Sequence, residues 1–353
     1  PNGRYVAFLS EKDLFSVDLY LANVETGEIV RKLSSANSSP HIEALRYIDS
    51  SGTWSPDGEY FAFVVTAGGG NRIIIVETES GDTYDEIIFE ELGALNNPAW
   101  SPDGRYIAFA GSVGGMTDLY MYDMESERTT QLTDDKNADL QPAWSPDGST
   151  LAFVSDRGPE TDFDRLTFSA FQLALLDVGT RQVQVLDIFG DVKHMNPQYA
   201  PDGESLYFIS DQDGFSDIYD LDLDTGELRR ITRLATAVSG ITYLSPAMSV
   251  AANTGQLVYT VFDEREFHVY TRDPGQGSSV VVAERTSEQP GRKLTPVSPE
   301  RFSRVAAYLD DPATGLVPAG TYTAVEADEY DSSLSLDYVG QPSVGVGTDN
   351  FGN

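Results

Sequence analysis

Three sets of residues have the types and spacing that binding or catalysis would need. The first is the run Asp211-Gln212-Asp213-Gly214-Phe215-Ser216-Asp217, whose carboxylates are spaced like the start of a calcium-binding loop. It lacks the bidentate Glu that an EF-hand carries at its twelfth position, and Asp in a strand connection ordinarily caps backbone N–H groups. Asp211, Asp213 and Asp217 therefore stand as weak metal candidates beside a structural reading. The second set is Asn96, Asn97, Gln141 and Asn196, in Asn97-Pro98-Ala99-Trp100, Gln141-Pro142-Ala143-Trp144 and Asn196-Pro197-Gln198-Tyr199. Brought onto neighbouring strands, these amides would line a pocket for a small polar ligand. The third set is the histidines, His41, His194 and His268, which fall at unrelated positions and form no shared ligand set. His194 is placed to reach such a pocket, and the plainer alternative is a solvated loop histidine.

Composition removes other chemistries. There are no cysteines, so disulfides, thiolate metal sites and cysteine nucleophiles are excluded. No G-x-S-x-G elbow occurs anywhere, so no serine-hydrolase nucleophile of that type lies in these 353 residues. The 56 acidic and 23 basic residues give a formal charge of −33, a field that repels phosphate backbones and excludes nucleic acid as a partner. The bases are 18 Arg and 5 Lys, which fits a salt-adapted surface or an ordinary acidic envelope protein. No apolar run is long enough to span a bilayer as a helix.

The elements that must position these residues are set by an internal repeat. Trp54-Ser55-Pro56-Asp57-Gly58, Trp100-Ser101-Pro102-Asp103-Gly104, Trp144-Ser145-Pro146-Asp147-Gly148 and Tyr199-Ala200-Pro201-Asp202-Gly203 are copies of one turn, with weaker copies at Pro1-Asn2-Gly3 and Asn253-Thr254-Gly255. Proline presets φ, Asp bonds the backbone just ahead, and Gly takes the positive φ that closes a hairpin. Asp57, Asp103, Asp147 and Asp202 are thus structural. An apolar strand follows each turn, as in Tyr60-Phe61-Ala62-Phe63, then a third strand such as Asp118-Leu119-Tyr120-Met121-Tyr122, then a second Gly-containing turn and a fourth strand. The turn glycines at 3, 58, 104, 148, 203 and 255 recur every 44 to 55 residues. Four strands per repeat and six repeats predict an all-β, six-bladed β-propeller of four-stranded antiparallel blades with a C-terminal extension. The blades fall at about 1–45, 46–92, 93–136, 137–190, 191–240 and 241–283.

Ser-Pro-Asp-Gly, an aromatic-rich strand, Ser-Asp, Asp-Ile-Tyr and a closing Ile-Thr resemble the repeat of TolB-like propellers, with Ser210 to Thr232 an especially close copy. The resemblance covers residues 1–283. It implies a non-catalytic protein-binding module of the bacterial cell envelope or periplasm, with no cofactor and with a protein partner docked over the channel mouth. Similar propellers also cap serine peptidases, and others act as enzymes on small ligands at the channel mouth. Both remain alternatives here. The remainder, 284–353, matches no blade. Either Arg292 to Pro299 or a segment upstream of Pro1 is expected to supply the inner strand that the first blade lacks. Leu334 to Val339 alternates like another strand, the tail resembles a junction to an outer-membrane domain, and the chain is expected to be a piece of a longer protein.

The mouth face is where the repeats vary. In the fourth repeat the second turn comes about eight residues late, which places an insertion, Asp156-Arg157-Gly158-Pro159-Glu160-Thr161-Asp162-Phe163-Asp164-Arg165, between its second and third strands. Variable loops on a rigid scaffold are where recognition resides. Asp156, Arg157, Glu160, Asp162 and Asp164, with the amides and His194, are the expected binding residues.

Overall fold

Each Ser-Pro-Asp-Gly segment folds as a turn held by its own side chains. Ser55 Oγ accepts the Tyr60 amide at 2.9 Å and donates to Asp57 Oδ1 at 2.5 Å, while Asp57 Oδ1 accepts the Glu59 amide. The same bonds recur at Ser101/Asp103 and Ser145/Asp147, and the hydroxyl donated to each carboxylate holds its pKa below the usual value. In the fifth blade Ala200 replaces the serine, and Asp202 keeps only the bond to the Glu204 amide. Gly58, Gly104, Gly148 and Gly203 sit at φ of +73° to +79° and close the turn by donating to the residue three back.

These turns organise six sheets. The computed structural model describes residues 1–13, 17–35, 44–45, 48–275, 279–285 and 294–296. Blade 1 contains β1 (Tyr5–Ser10), β2 (Asp18–Asn23) and β3 (Ile29–Ser35); blade 2 contains β4 (Ala44–Leu45), β5 (Thr53–Trp54), β6 (Tyr60–Ala67), β7 (Gly70–Glu77) and β8 (Thr83–Ile88). Blade 3 contains β9 (Ala94–Trp100), β10 (Tyr106–Val113), β11 (Met116–Asp123) and β12 (Arg128–Gln131); blade 4 contains β13 (Asp139–Trp144), β14 (Thr150–Ser155), β15 (Gln172–Asp177) and β16 (Val183–Val185). Blade 5 contains β17 (His194–Tyr199), β18 (Ser205–Ser210), β19 (Asp217–Asp222) and β20 (Leu228–Arg230); blade 6 contains β21 (Met248–Val250), β22 (Leu257–Asp263) and β23 (Glu266–Arg272). All pairings are antiparallel, and no helix occurs among the described residues.

The core lies between blades rather than within any one of them. Along β6, Phe61, Phe63 and Val65 pack with Leu19 and Leu21 of blade 1, while Ala62 and Val64 pack with Leu95, Ile107 and Phe109 of blade 3. Successive side chains point to opposite faces of a strand, so a strand buried on both sides reads as the continuous apolar run seen in the sequence. Asp118 and Asp217, which open third strands, anchor the outer strand: each accepts the hydroxyl of Thr133 or Thr232, which in turn accepts the amide of Leu119 or Ile218.

Around one rim the turns touch in sequence. The proline ring of each turn lies beside the glycine of the next: Pro1 by Gly58, Pro56 by Gly104, Pro102 by Gly148, Pro146 by Gly203 and Pro201 by Gly255. Gly3 lies beside Thr254 and Gln256, and the Asn253 amide donates to Pro1 O at 2.9 Å, which closes the ring.

The strand after blade 6 departs from the expected plan. β24 (Val280–Arg285) pairs with β20 of blade 5, and β25 (Leu294–Pro296) pairs with β24, so blade 5 becomes a six-stranded sheet. The segment expected as the inner strand of blade 1 thus adds to the outside of blade 5, with Ala283 opposite Pro296. The expected strand at Leu334 to Val339 lies outside the described residues.

Candidate functional site

The connections between second and third strands and those between blades share one face, opposite the Ser-Pro-Asp-Gly turns. The inner strands begin earlier than the Asn-Pro and Gln-Pro signals, so Asp139 and His194 lie within them, at the register position that Leu95 holds in blade 3. Two of the inner strands thus carry an ionisable residue, an acid in blade 4 and a histidine in blade 5.

Asn97, Gln141 and Asn196 occupy φ of +51° to +54° at the bulge that precedes each proline, a conformation that Asn tolerates better than most residues. All three are buried. Asn97 Nδ2 donates to Asp49 O at 3.2 Å in the approach to blade 2, and Gln141 Oε1 accepts the Asn196 amide at 2.7 Å. Asn196 Oδ1 accepts the amides of Ala247 and Met248, both at 2.8 Å. The amides therefore tie neighbouring blades together. Asn96 is half-buried beside them.

The approach to blade 6 crosses the channel mouth. Gln141 Nε2 of blade 4 donates to Leu244 O at 2.7 Å, Lys193 of blade 5 donates to Tyr243 O at 3.3 Å, and Thr242 Oγ1 donates to Asp49 Oδ1 at 2.8 Å. Ser245 donates to Ile48 O. Residues 242–245 are thereby bonded to the approaches of blades 2 and 5 and to the inner strand of blade 4. Tyr243 is 68% exposed, with Ile241 and Ile48 exposed nearby in the chain segments so joined.

His194 is fully buried, which corrects both readings of it as a mouth or loop residue. Its Nε2 bonds Ile188 O at 2.7 Å, and its ring packs edge-on against Phe208 with centroids 5.3 Å apart. Burial lowers its pKa to about 4, and the bond to the Ile188 carbonyl offsets only part of the cost of desolvating the imidazolium.

The insertion of blade 4 divides into a buried root and an exposed tip. Asp156 is buried and accepts the Asn137 side chain and the Ala138 amide. Arg157 bonds Asp135, Ser155 and the fully buried Asp139. Desolvation pushes the Asp139 carboxyl up, and Arg157 opposes that rise. Beyond this root, Asp162 and Thr167 form an isolated bridge, and Asp162 accepts the amides of Asp164 and Arg165. Ser169 and Thr161 pin the tip back to its base. Glu160 and Asp164 are exposed at the tip. So are Leu166 and Phe168, at 73% and 54%, which the sequence reading passed over although apolar residues in an inserted loop were a visible signal.

The acidic run of blade 5 is occupied by a cation from the protein itself. Arg230 bonds both Asp213 and Asp217, and its guanidinium lies 6.0 Å from the Tyr219 ring centroid. Lys32 does the same in blade 1, bonding Asp13 and Asp18 beside Tyr20. Asp211 lies 4.0 Å from Lys193. Among the described residues no group of three or more His, Asp or Glu side chains is arranged to hold a metal ion.

Six blades, the repeated turn and the Asp-Thr anchor define a six-bladed β-propeller of four-stranded antiparallel plan. Within it, residues 38–170 match the family model for the TolB beta propeller domain, PD40. The structure is similar to that of TolB from Acinetobacter baumannii (TM-score 0.60, 20% identity, 77% of this chain and 62% of that one). It is also similar to a putative TolB from Agrobacterium tumefaciens (TM-score 0.57, 20% identity, 76% and 88%). A curated relative, the "Uncharacterized peptidase YuxL" of Bacillus subtilis (strain 168), is 33% identical over 87 residues, and the match spans 25% of this chain and 12% of that protein. Among the described residues no helix is long and apolar enough to cross a membrane.

Proposed function

We propose that this chain is a non-catalytic, protein-binding propeller of the bacterial cell envelope or periplasm, working as one module of a longer protein. Its contact surface is the mouth face, where the partner presents basic or polar groups to the acidic insertion and covers the bridged channel. The observation that carries the reading is the exposure of Tyr243, Leu166 and Phe168 on connections held in place by hydrogen bonds. Large apolar residues exposed on rigid loops, with carboxylates beside them, have the composition of a recognition surface. The amides that would have lined a small-ligand pocket are engaged between blades, which favours a macromolecular partner over a small one.

Removing residues 158–164 and, separately, replacing Tyr243 by Ser tests this against a partner captured with the intact chain. Binding is expected to weaken by about tenfold or more in each variant, with the melting temperature of Tyr243→Ser unchanged. Undiminished binding, or a footprint on the Ser-Pro-Asp-Gly face, would refute the assignment. A second reading, supported by the peptidase match, makes this the propeller of a peptidase whose catalytic residues lie elsewhere in the longer protein. Hydrolysis of model peptides by the longer protein and not by this chain would favour it.

A further inference from the structure

β23 is the outermost strand of blade 6, and among the described residues nothing pairs with its outer edge. The next strand in the chain, β24, has joined blade 5 instead. From Glu266 to Thr271 every side chain is exposed, including Phe267, Val269 and Tyr270. Its register with β22 fixes which backbone groups face outward. The Thr260 amide donates to Ala247 O and the Phe262 amide to Ser239 Oγ, so both residues turn their backbone groups away from β23. Their partners are Val269 and Phe267, which therefore turn N–H and C=O outward, as does Thr271 by alternation. An edge of this kind, long, apolar and without a proline or lysine to block it, is a template for strand addition.

The sequence of the strand points to its occupant. Taking Val269 as a two-fold axis, an antiparallel copy of Glu266-Phe267-His268-Val269-Tyr270-Thr271-Arg272 sets Val269 against Val269, Phe267 against Thr271 and His268 against Tyr270. Glu266 then faces Arg272 at both ends. The three residues that pair across the hydrogen-bonded positions, 267, 269 and 271, are the three whose backbone groups face outward. Arg272 uses one nitrogen on Ile231 O, which leaves its other donors for a carboxylate. Register, backbone polarity and charge agree on a single pairing.

We propose that β23 pairs with the β23 of a second copy, joining two blade 6 sheets in a symmetric antiparallel dimer centred on Val269. The contact lies on the outer wall of the propeller and leaves both mouth faces free.

Sedimentation velocity on the intact chain, over a concentration series at about 0.15 M and about 1 M salt, tests it. A reversible dimer is expected. Val269→Pro removes an outward N–H that β22 does not use, so the fold and melting temperature should hold while the dimer weakens about tenfold or more. Glu266→Arg should weaken it several-fold at the lower salt, and Glu266→Arg combined with Arg272→Glu should restore it. Three results would overturn the pairing: a monomer under both salt conditions, a dimer indifferent to Val269→Pro, or slow hydrogen exchange of the Phe267, Val269 and Thr271 amides in the monomer. The last would mean that the chain's own residues cover this edge.

Discussion

The two faces of the propeller solve the same problem in opposite ways. On the turn face, one set of bonds within five residues repeats from blade to blade, and proline rings meet glycines around the rim. On the mouth face, equivalent positions carry different chemistry. One inner-strand position is Leu95 in blade 3, Asp139 in blade 4 and His194 in blade 5, and each has its own surroundings. Local, repeated bonds make a frame that tolerates the loss of any one copy. Non-local, singular bonds make a face in which each residue depends on a partner far along the chain.

That contrast is open to measurement, most sharply where a buried charge depends on one partner. Arg157→Leu leaves the fully buried Asp139 without its guanidinium and should cost about 3–5 kcal/mol in urea denaturation. Adding Asp139→Leu, which copies the apolar solution of blade 3, should recover most of that loss. A single variant within about 1 kcal/mol of the parent would erase the distinction between the faces.

His194 supplies a pH-dependent counterpart. Its folded pKa of about 4 lies below the ordinary 6.5, so the unfolded chain binds the proton more readily. Stability from this group is intact above about pH 6.5 and falls as pH drops toward 4, by up to about 3 kcal/mol. His194→Leu should remove that part of the acid sensitivity, seen as a smaller difference in melting temperature between pH 7 and pH 4.5.

On the turn face the expected effects are smaller. Asp103→Ala loses bonds from the Ser101 hydroxyl and the Arg105 amide and should cost about 1 kcal/mol. Asp57→Ala should match it, since the two turns are built alike. The least effect on the contrast is expected from salt, which acts on the −33 charge of both faces together. A melting temperature that rises by a few degrees between low and molar KCl would show self-repulsion being screened.

The turn face was legible in the sequence because its chemistry is local: proline, Asp and glycine within five residues determine the fold of the turn. The insertion of blade 4 was legible for a similar reason, since the lag between two turn series measures its length. The mouth face was not. Nothing near Asn196 indicates that its amide caps Ala247 and Met248 about fifty residues on, and nothing near Asp213 indicates that Arg230 occupies the acidic run. His194 was misplaced because Asn196-Pro197 is the visible signal of its strand, and nothing in the sequence marks that the strand begins two residues earlier. The seat of Leu294–Pro296 was missed because β-pairing partners are set by which edge is open, and composition does not record that.

The variable inner-strand position has a bearing on folding fidelity. Chains of near-identical repeats are prone to exchange equivalent strands between neighbours. Here an exchange of β13 and β17 would set Asp139 in blade 5, away from Arg157, and His194 in blade 4, away from the Ile188 carbonyl and Phe208. Either error buries a polar group without its partner, at a cost of several kcal/mol. The position therefore acts as an address: it lets strands that share turn, length and apolar pattern find one place in the ring and reject the next.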